Sequence, residues 1–166
     1  YHDGTQNLIE GTVPLYIKGS NVVLYKGGTT EKFFEGVGDG ASKLFYDGVK
    51  TFETKSNGVI VQGTEGQNAE LLLYADEGDD NADKWRLKVD TNGQLEISNY
   101  ASGSYEKNIE CNGNGNVELY YDNVKQINTT STGVGLGDSK RIDFGDGADL
   151  QIFHDGTGCN IRSTSS

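Results

Sequence analysis

The residues best suited to hold an ion lie in an acidic segment at positions 76–83. Asp79, Asn81 and Asp83 offer side-chain oxygens at alternate positions, which is the spacing with which a calcium loop begins. Two features of such loops are missing, because Lys84 stands where glycine is expected and no glutamate occupies the twelfth position. The segment therefore has two interpretations, a calcium site or a solvated turn. We expect no cofactor apart from this possible calcium.

Both histidines belong to one repeated motif, which opens the chain at positions 1–4 and returns at 153–156. Counting by two from the preceding apolar residues places His154 on the apolar face of a strand. A histidine satisfied by a backbone group or by the following aspartate is one interpretation. The other is that His2 or His154 from three chains meet on a threefold axis and bind a metal or an anion. A degenerate third copy has Ala75 at the equivalent position, which argues against a catalytic histidine.

Exposed aromatic rings can stack against sugars, although core packing accounts for aromatic residues equally well. The candidates for glycan stacking are Tyr16, Tyr25, Trp85, Tyr100 and Tyr105. Catalysis has little support, because Cys111 and Cys159 have no evident base and suggest incidental or buried thiols, or a disulfide. With 25 acidic residues, a pair of carboxylates that cleaves glycosides stays open as a possibility, but we expect that the chain is not an enzyme.

Composition restricts the classes of partner. The net charge is −11 and lysine and arginine are scattered, which disfavours nucleic acid and anionic membranes. The sequence contains no apolar run of transmembrane length. Only 34% of the residues are hydrophobic and 24 are glycine, so we expect copies of the chain to bury apolar surface together.

The periodicity predicts an all-β fold built from short antiparallel strands and hairpins. The predicted strands are 13–18, 21–26, 31–35, 42–47, 49–55, 58–62, 69–75, 84–90, 94–100, 105–111, 116–122, 124–129, 139–144 and 149–154. Two-residue turns are expected at 47–48 and 122–123. A three-residue loop at 91–93 with a bulge at Gly93 would set Val89 opposite Leu95, with Trp85 on the same apolar face.

The hairpins at 47–48 and 122–123 carry bulky apolar residues on alternating positions. Counting from the turns predicts Leu44 and Tyr46 on one face and Phe45 and Phe52 on the other. In the second hairpin the same count predicts Leu119 and Tyr121 on one face and Tyr120 and Ile127 on the other. A strand pair covered on both faces implies a second packing surface, from the same unit or from a neighbouring chain.

The same two motifs recur along the chain. Residues 44–50 return at 119–125, an offset of 75, and the aromatics of the histidine motif lie at positions 1, 74 and 153. We therefore expect tandem units at 1–73 and 74–152, with the start of a third at 153–166. Because repeats are cut at both ends and methionine is absent, we expect this sequence to be a section of a longer protein.

Residues 150–157, LQIFHDGT, resemble the LQIYHDGS element of repeat-built fibre proteins of marine bacteriophages, especially those that infect cyanobacteria. Residues 118–125 and 129–134 are similar to the VELYYDNxKKFETTSTGV element of the same proteins. Segments 15–20 and 79–85 also resemble parts of such proteins. The resemblance implies an elongated, homotrimeric β-fibre in a virion tail, located outside the cell.

The expected function is therefore a structural component of a phage tail fibre that contributes to attachment at host-surface glycans. A cellular surface adhesin or extracellular filament built from the same repeats is one alternative. A carbohydrate-binding or carbohydrate-cleaving β domain is another. The expected partners are further copies of the same chain and a host glycan, with no nucleic acid and no insertion into a membrane.

Overall fold

A computed structural model describes residues 11–164, and over that range the protein is all-β, as the sequence predicts. Its strands form three antiparallel sheets, in each of which strands consecutive in the chain lie side by side. The chain divides into two compact units after Gln62. The first unit contains a five-stranded sheet, and the second contains a seven-stranded and a three-stranded sheet.

The five-stranded sheet has the order β1 to β5. Its strands are β1 (Asn21–Tyr25), β2 (Lys32–Val37), β3 (Ser42–Tyr46), β4 (Val49–Lys55) and β5 (Gly58–Val61).

The seven-stranded sheet also follows chain order, from β6 to β12. Its strands are β6 (Ala69–Tyr74), β7 (Lys84–Val89), β8 (Gln94–Asn99), β9 (Glu106–Asn112), β10 (Val117–Tyr121), β11 (Val124–Thr130) and β12 (Gly133–Leu136). Two single-turn 3₁₀ segments, Asp76–Gly78 and Asn81–Asp83, lie between β6 and β7.

The three-stranded sheet consists of β13 (Arg141–Phe144), β14 (Leu150–His154) and β15 (Cys159–Ser163). The unit boundaries predicted from the motifs, after residues 73 and 152, fall inside β6 and β14. The predicted boundaries were taken from the spacing of a sequence motif and not from the limits of a sheet. The division into tandem units therefore stays a prediction.

The predicted hairpin turns are confirmed. Asp47 and Gly48 have φ of 49° and 75°, and Asp122 and Asn123 have φ of 51° and 58°. Positive φ at both central residues is what a type I′ turn requires. The loop at 91–93 also has the expected form, because Val89 pairs with Leu95 and Gly93 has φ of 80°.

The predicted faces of Phe52 and Ile127 are wrong, because each hairpin contains a β-bulge that the sequence did not reveal. The register shifts between Leu44 and Phe45, so Leu44 pairs with Phe52 and shares its face. The same shift occurs after Leu119, which pairs with Ile127. One extra residue in β4 turns Phe52 onto the face of Leu44, and one extra residue in β11 turns Ile127 onto the face of Leu119. The bulges therefore gather apolar residues that strict alternation would separate.

The strand predicted at 13–18 is also wrong, because this segment has no strand partner in the structure. Val13, Leu15 and Ile17 are exposed there by 75%, 63% and 65%. Alternation alone cannot form a strand without a neighbour to complete its hydrogen bonds. Two short strands were missed, β12 and β15, since their glycine-rich or polar sequences lack a clear period.

Each sheet carries one row of apolar side chains that crosses every strand. In the seven-stranded sheet the apolar row is Leu71, Leu87, Ile97, Ile109, Leu119, Ile127 and Leu136. In the five-stranded sheet it is Leu24, Phe34, Leu44, Phe52 and Val61. In the three-stranded sheet it is Ile142, Ile152 and Ile161. Cross-strand neighbours share a face, so each row marks one continuous apolar surface.

The opposite face of the seven-stranded sheet is ionic. This ionic face consists of Glu70, Arg86, Lys88, Glu96, Lys107, Glu110, Glu118 and Lys125, with Ser98 and Tyr120 among them. Its long side chains cover one another, so that Glu96 and Glu110 are each only 5% exposed. Among the described residues no hydrophobic side chain is classed as buried, whereas Ser98 is fully buried. Burial within one chain is therefore polar, and the apolar rows remain accessible.

Candidate functional site

A cluster of tyrosines lies at one edge of the seven-stranded sheet. Tyr74 ends β6, Tyr100 follows β8 and Tyr105 precedes β9, and antiparallel strands bring these three positions to the same edge. Together with Lys84 and Gly78 they line an open cleft of about 470 Å³. Sequence analysis identified Tyr100 and Tyr105 but missed Tyr74, although its position at a strand end beside the acidic loop was a usable signal.

The tyrosine rings are engaged with one another and with cations. Tyr100 and Tyr105 pack edge to face, with ring centroids 4.9 Å apart and planes at 65°. The Arg86 guanidinium lies 3.9 Å from the centre of the Tyr105 ring, and the Lys84 Nζ lies 5.8 Å from that of Tyr100. Burial raises the pKa of Tyr105, and a hydrogen bond with Tyr74 raises it further. The cation occupies one face of Tyr105, so Tyr74, which is 51% exposed, presents the most open ring of the three.

The remaining stacking candidates lie apart from this cleft. Trp85 is 41% exposed and borders a second open hollow of about 510 Å³ that includes Leu73, Tyr74 and Asp83. Tyr16 is 77% exposed in the segment before β1, and Tyr25 is 51% exposed at the end of β1. The structure thus brings together two of the five predicted aromatics and adds Tyr74. Glycan stacking stays a prediction for all of them.

The acidic loop between β6 and β7 brings carboxylates together. Oxygens of Asp79, Asp80 and Asp83 lie within 4.8 Å of one another. Two of these residues belong to the predicted calcium set, and Asp80 joins them. The side-chain nitrogen of Asn81 lies beside Gly103, 3.3 Å from where a Cβ at that glycine would stand. Oxygen-rich clusters of this kind suit calcium, and calcium binding stays a prediction.

His154 lies on the apolar face of β14, as counting by two predicts, and its side chain is 44% exposed. Its Nδ1 is 3.0 Å from an oxygen of Asp138 and 3.1 Å from the backbone nitrogen of Gly156. The following aspartate, Asp155, is not its partner: that carboxylate accepts hydrogen bonds from the turn at 157–160. Those hydrogen bonds, led by the one from the Thr157 hydroxyl, hold the pKa of Asp155 well below its usual range. His2 lies outside the described residues.

The His154 motif borders a largely apolar hollow of about 440 Å³. Its lining includes Leu136, the three isoleucines of the apolar row in the three-stranded sheet, and Cys159. Cys159 pairs with His154 across the strands and is exposed, and Cys111 is half-buried in β9. Both thiols are free, so neither the predicted burial nor a disulfide between them is present.

Carboxylates that could form a catalytic pair face one another on the ionic face, where Glu110 lies directly opposite both Glu96 and Glu118. Burial alone would raise the pKa of Glu96, but hydrogen bonds from Lys88 and Arg86 hold it below its usual value. Lys107 pairs with Glu110. A general acid needs a raised pKa, so the lowered pKa of Glu96 favours a structural role for that carboxylate.

No family model, curated protein or solved structure matches this chain. Within the described residues no helix has the length and hydropathy needed to cross a bilayer.

Proposed function

We propose that this chain is a structural component of an elongated phage tail fibre, formed by three copies of the chain and located outside the cell. The observation that carries the proposal is a hairpin that occurs twice with the same internal details, 75 positions apart. Fibres are built in this way, by stacking copies of one supersecondary unit.

The correspondence extends beyond sequence to backbone detail. Both hairpins have a left-handed two-residue turn and a bulge whose extra residue lies three positions after that turn. In the first, the Ser42 backbone nitrogen donates to Thr54 Oγ1 at 2.9 Å. In the second, the Val117 nitrogen donates to Thr129 Oγ1 at the same distance. Such agreement in turn, bulge and side-chain hydrogen bond supports descent of both hairpins from one repeated unit.

Assembly from several chains is supported by the absence of an apolar core within residues 11–164 of one chain. The apolar rows are accessible, whereas the described residues with the least exposure are polar. A domain that buries no hydrophobic side chain lacks the usual source of stability. Association between chains would supply it.

The fibre proposal is tested by sedimentation velocity and electron microscopy of the purified protein, and by gold-labelled antibody on phage particles. Elongated trimeric particles and labelling at the virion tail are expected. A compact monomer would contradict it. Labelling of a bacterial surface without phage would favour the alternative of a cellular adhesin or filament.

A carbohydrate-binding role has its own support in the tyrosine cleft. An open ring at Tyr74, a cation at Lys84 and nearby carboxylates are groups that recognise hydroxyl-rich ligands. A glycan array with the purified protein tests this role. Tyr74→Ala should lose binding, whereas Tyr16→Ala, at an exposed tyrosine outside the cleft, should retain it.

A further inference from the structure

We propose that the apolar face of the seven-stranded sheet is the contact surface between copies of this chain, with the ionic face turned away from the contact. This inference rests on the proposed fibre function and specifies which surface assembles the fibre.

The apolar row on this face is unbroken. Its seven residues come from all seven strands, and each is the direct cross-strand neighbour of the next. A second line of mostly apolar residues runs parallel to it on the same face: Ala69, Val89, Leu95, Cys111 and Val117. Leu71, Leu119, Val89 and Val117 are exposed by 46%, 43%, 49% and 37%. A contiguous apolar surface of this extent marks an interaction site.

The charges of the sheet identify the occupant as another copy of the chain. The eight charged residues that define the ionic face form ion pairs with one another, and Lys84, on the same face at the sheet edge, lies over the Tyr100 ring. These charges therefore need no partner molecule for neutralisation. The two apolar lines contain no charged residue. Two such faces can therefore meet without like-charge repulsion, even though each chain carries a net charge of −11. By register Glu106 shares the apolar face, but it lies opposite Asn99 and outside both lines, so the two lines themselves offer no charge that would select a basic, acidic or nucleic-acid partner.

Leu71 and Leu72 provide a matched pair of test positions. They are the same residue type, adjacent in β6, and exposed to almost the same extent, 46% and 45%, but on opposite faces of the sheet. Leu71→Asp should shift the assembly midpoint in sedimentation velocity at least tenfold toward higher concentration. Leu72→Asp should leave it unchanged. Leu119→Asp, at the other side of the same row, should reproduce the effect of Leu71→Asp.

Thiol labelling gives a second measurement that does not require a variant of the interface to fold. Cys111 lies on the apolar face between Leu95 and Val117. In the Cys159→Ser background its reaction with a maleimide should be slow in the assembled protein and faster on dilution below the assembly midpoint.

Equal assembly of both leucine variants, or concentration-independent labelling of Cys111 in an assembled protein, would overturn this interface and leave the fibre proposal standing. A natural protein that is monomeric at every concentration would contradict both proposals.

Discussion

Arg86 and Glu96 form an ion pair at 2.7 Å on the ionic face of the seven-stranded sheet, with only 13% and 6% of their side chains exposed. Lys88 reaches the second oxygen of the same carboxylate at 2.9 Å. Arg86 also stacks on Tyr105 and contacts Glu70 at 3.4 Å. This pair therefore links three adjacent strands to the tyrosine cluster, and its charges are largely removed from water.

A double-mutant cycle on Arg86 and Glu96 should give a coupling free energy of about 2 kcal/mol, because hydrogen bonds between charged, shielded groups are strong. The control is the pair Arg141 and Asp143, whose side chains are 54% and 37% exposed. Its coupling should be below about 1 kcal/mol, since solvent screens exposed pairs. Urea denaturation of the four proteins in each cycle supplies the values. Equal coupling in the two cycles would contradict shielding by the ionic face.

Thr54→Val and Thr129→Val test the correspondence between the two hairpins. Each change removes the hydroxyl that accepts a strand-end amide, from Ser42 or Val117, while keeping the shape of the side chain. Each should lower the free energy of unfolding by about 1 kcal/mol. Amide hydrogen exchange should accelerate at Ser42 only in the first variant and at Val117 only in the second.

Thr51→Val is the control for those variants, because the Thr51 hydroxyl makes no hydrogen bond within the described part of the chain. It should change the unfolding free energy by less than about 0.5 kcal/mol. If one hairpin loses stability and the other does not, the two threonines do not have equivalent roles and the repeat proposal weakens.

Stability should fall in acid as Glu118 is protonated. Hydrogen bonds from Tyr120, Lys125 and Asn116 lower the pKa of this carboxyl from 4.5 to about 2. A group whose pKa is lower in the folded state contributes stability above its unfolded pKa and loses it as the pH falls through the folded value. The contribution should therefore be complete above about pH 5 and should disappear as the pH approaches 2.

Tyr120→Phe isolates the first of those hydrogen bonds, and Tyr121→Phe is its control. Tyr120 donates to Glu118, whereas Tyr121 lies on the opposite face and is 76% exposed. The pKa of Glu118, followed by carboxyl NMR, should rise in Tyr120→Phe and stay unchanged in Tyr121→Phe. A pKa that moves in neither variant would assign the shift to the Lys125 and Asn116 contacts.

The strands and turns could largely be predicted from the sequence, because each has a local cause. Alternation fixed most of the strands, and glycine, asparagine and aspartate at positions of positive φ fixed the turns at 47–48 and 122–123. The three-residue loop at 91–93 followed from matching apolar residues across the hairpin. These features depend only on residues close together in the chain.

The bulges and the distribution of burial could not be predicted in this way. A bulge inserts one residue without any fixed signature, so Phe52 and Ile127 were assigned to the wrong faces. The burial of charged groups has no signature in the sequence either, because ion pairs formed across strands shield Glu96 and Glu110 more completely than any apolar side chain among the described residues is shielded. Tyr74 was missed because its neighbours in the cleft come from strands distant in sequence.

The acidic loop offers a test with and without calcium. Asp80 lies within 4.8 Å of Asp79 and Asp83, so three like charges repel one another when no cation is bound. In calcium-free buffer, Asp80→Asn should raise the free energy of unfolding by about 0.5 kcal/mol, because it relieves that repulsion. The control Asp146→Asn, at an exposed aspartate outside the cluster, should have no such effect.

Calcium should then reverse the order of stability, so that the unmodified protein becomes more stable than Asp80→Asn. If the three carboxylates bind the ion, thermal unfolding of the unmodified protein should shift upward with calcium, since a ligand that binds only the folded state stabilises it. Asp80→Asn should gain less, because it supplies one fewer charged oxygen. The same response from both proteins, or none from either, would assign the loop to a solvated turn and leave Asp79 and Asp83 without a role in metal binding.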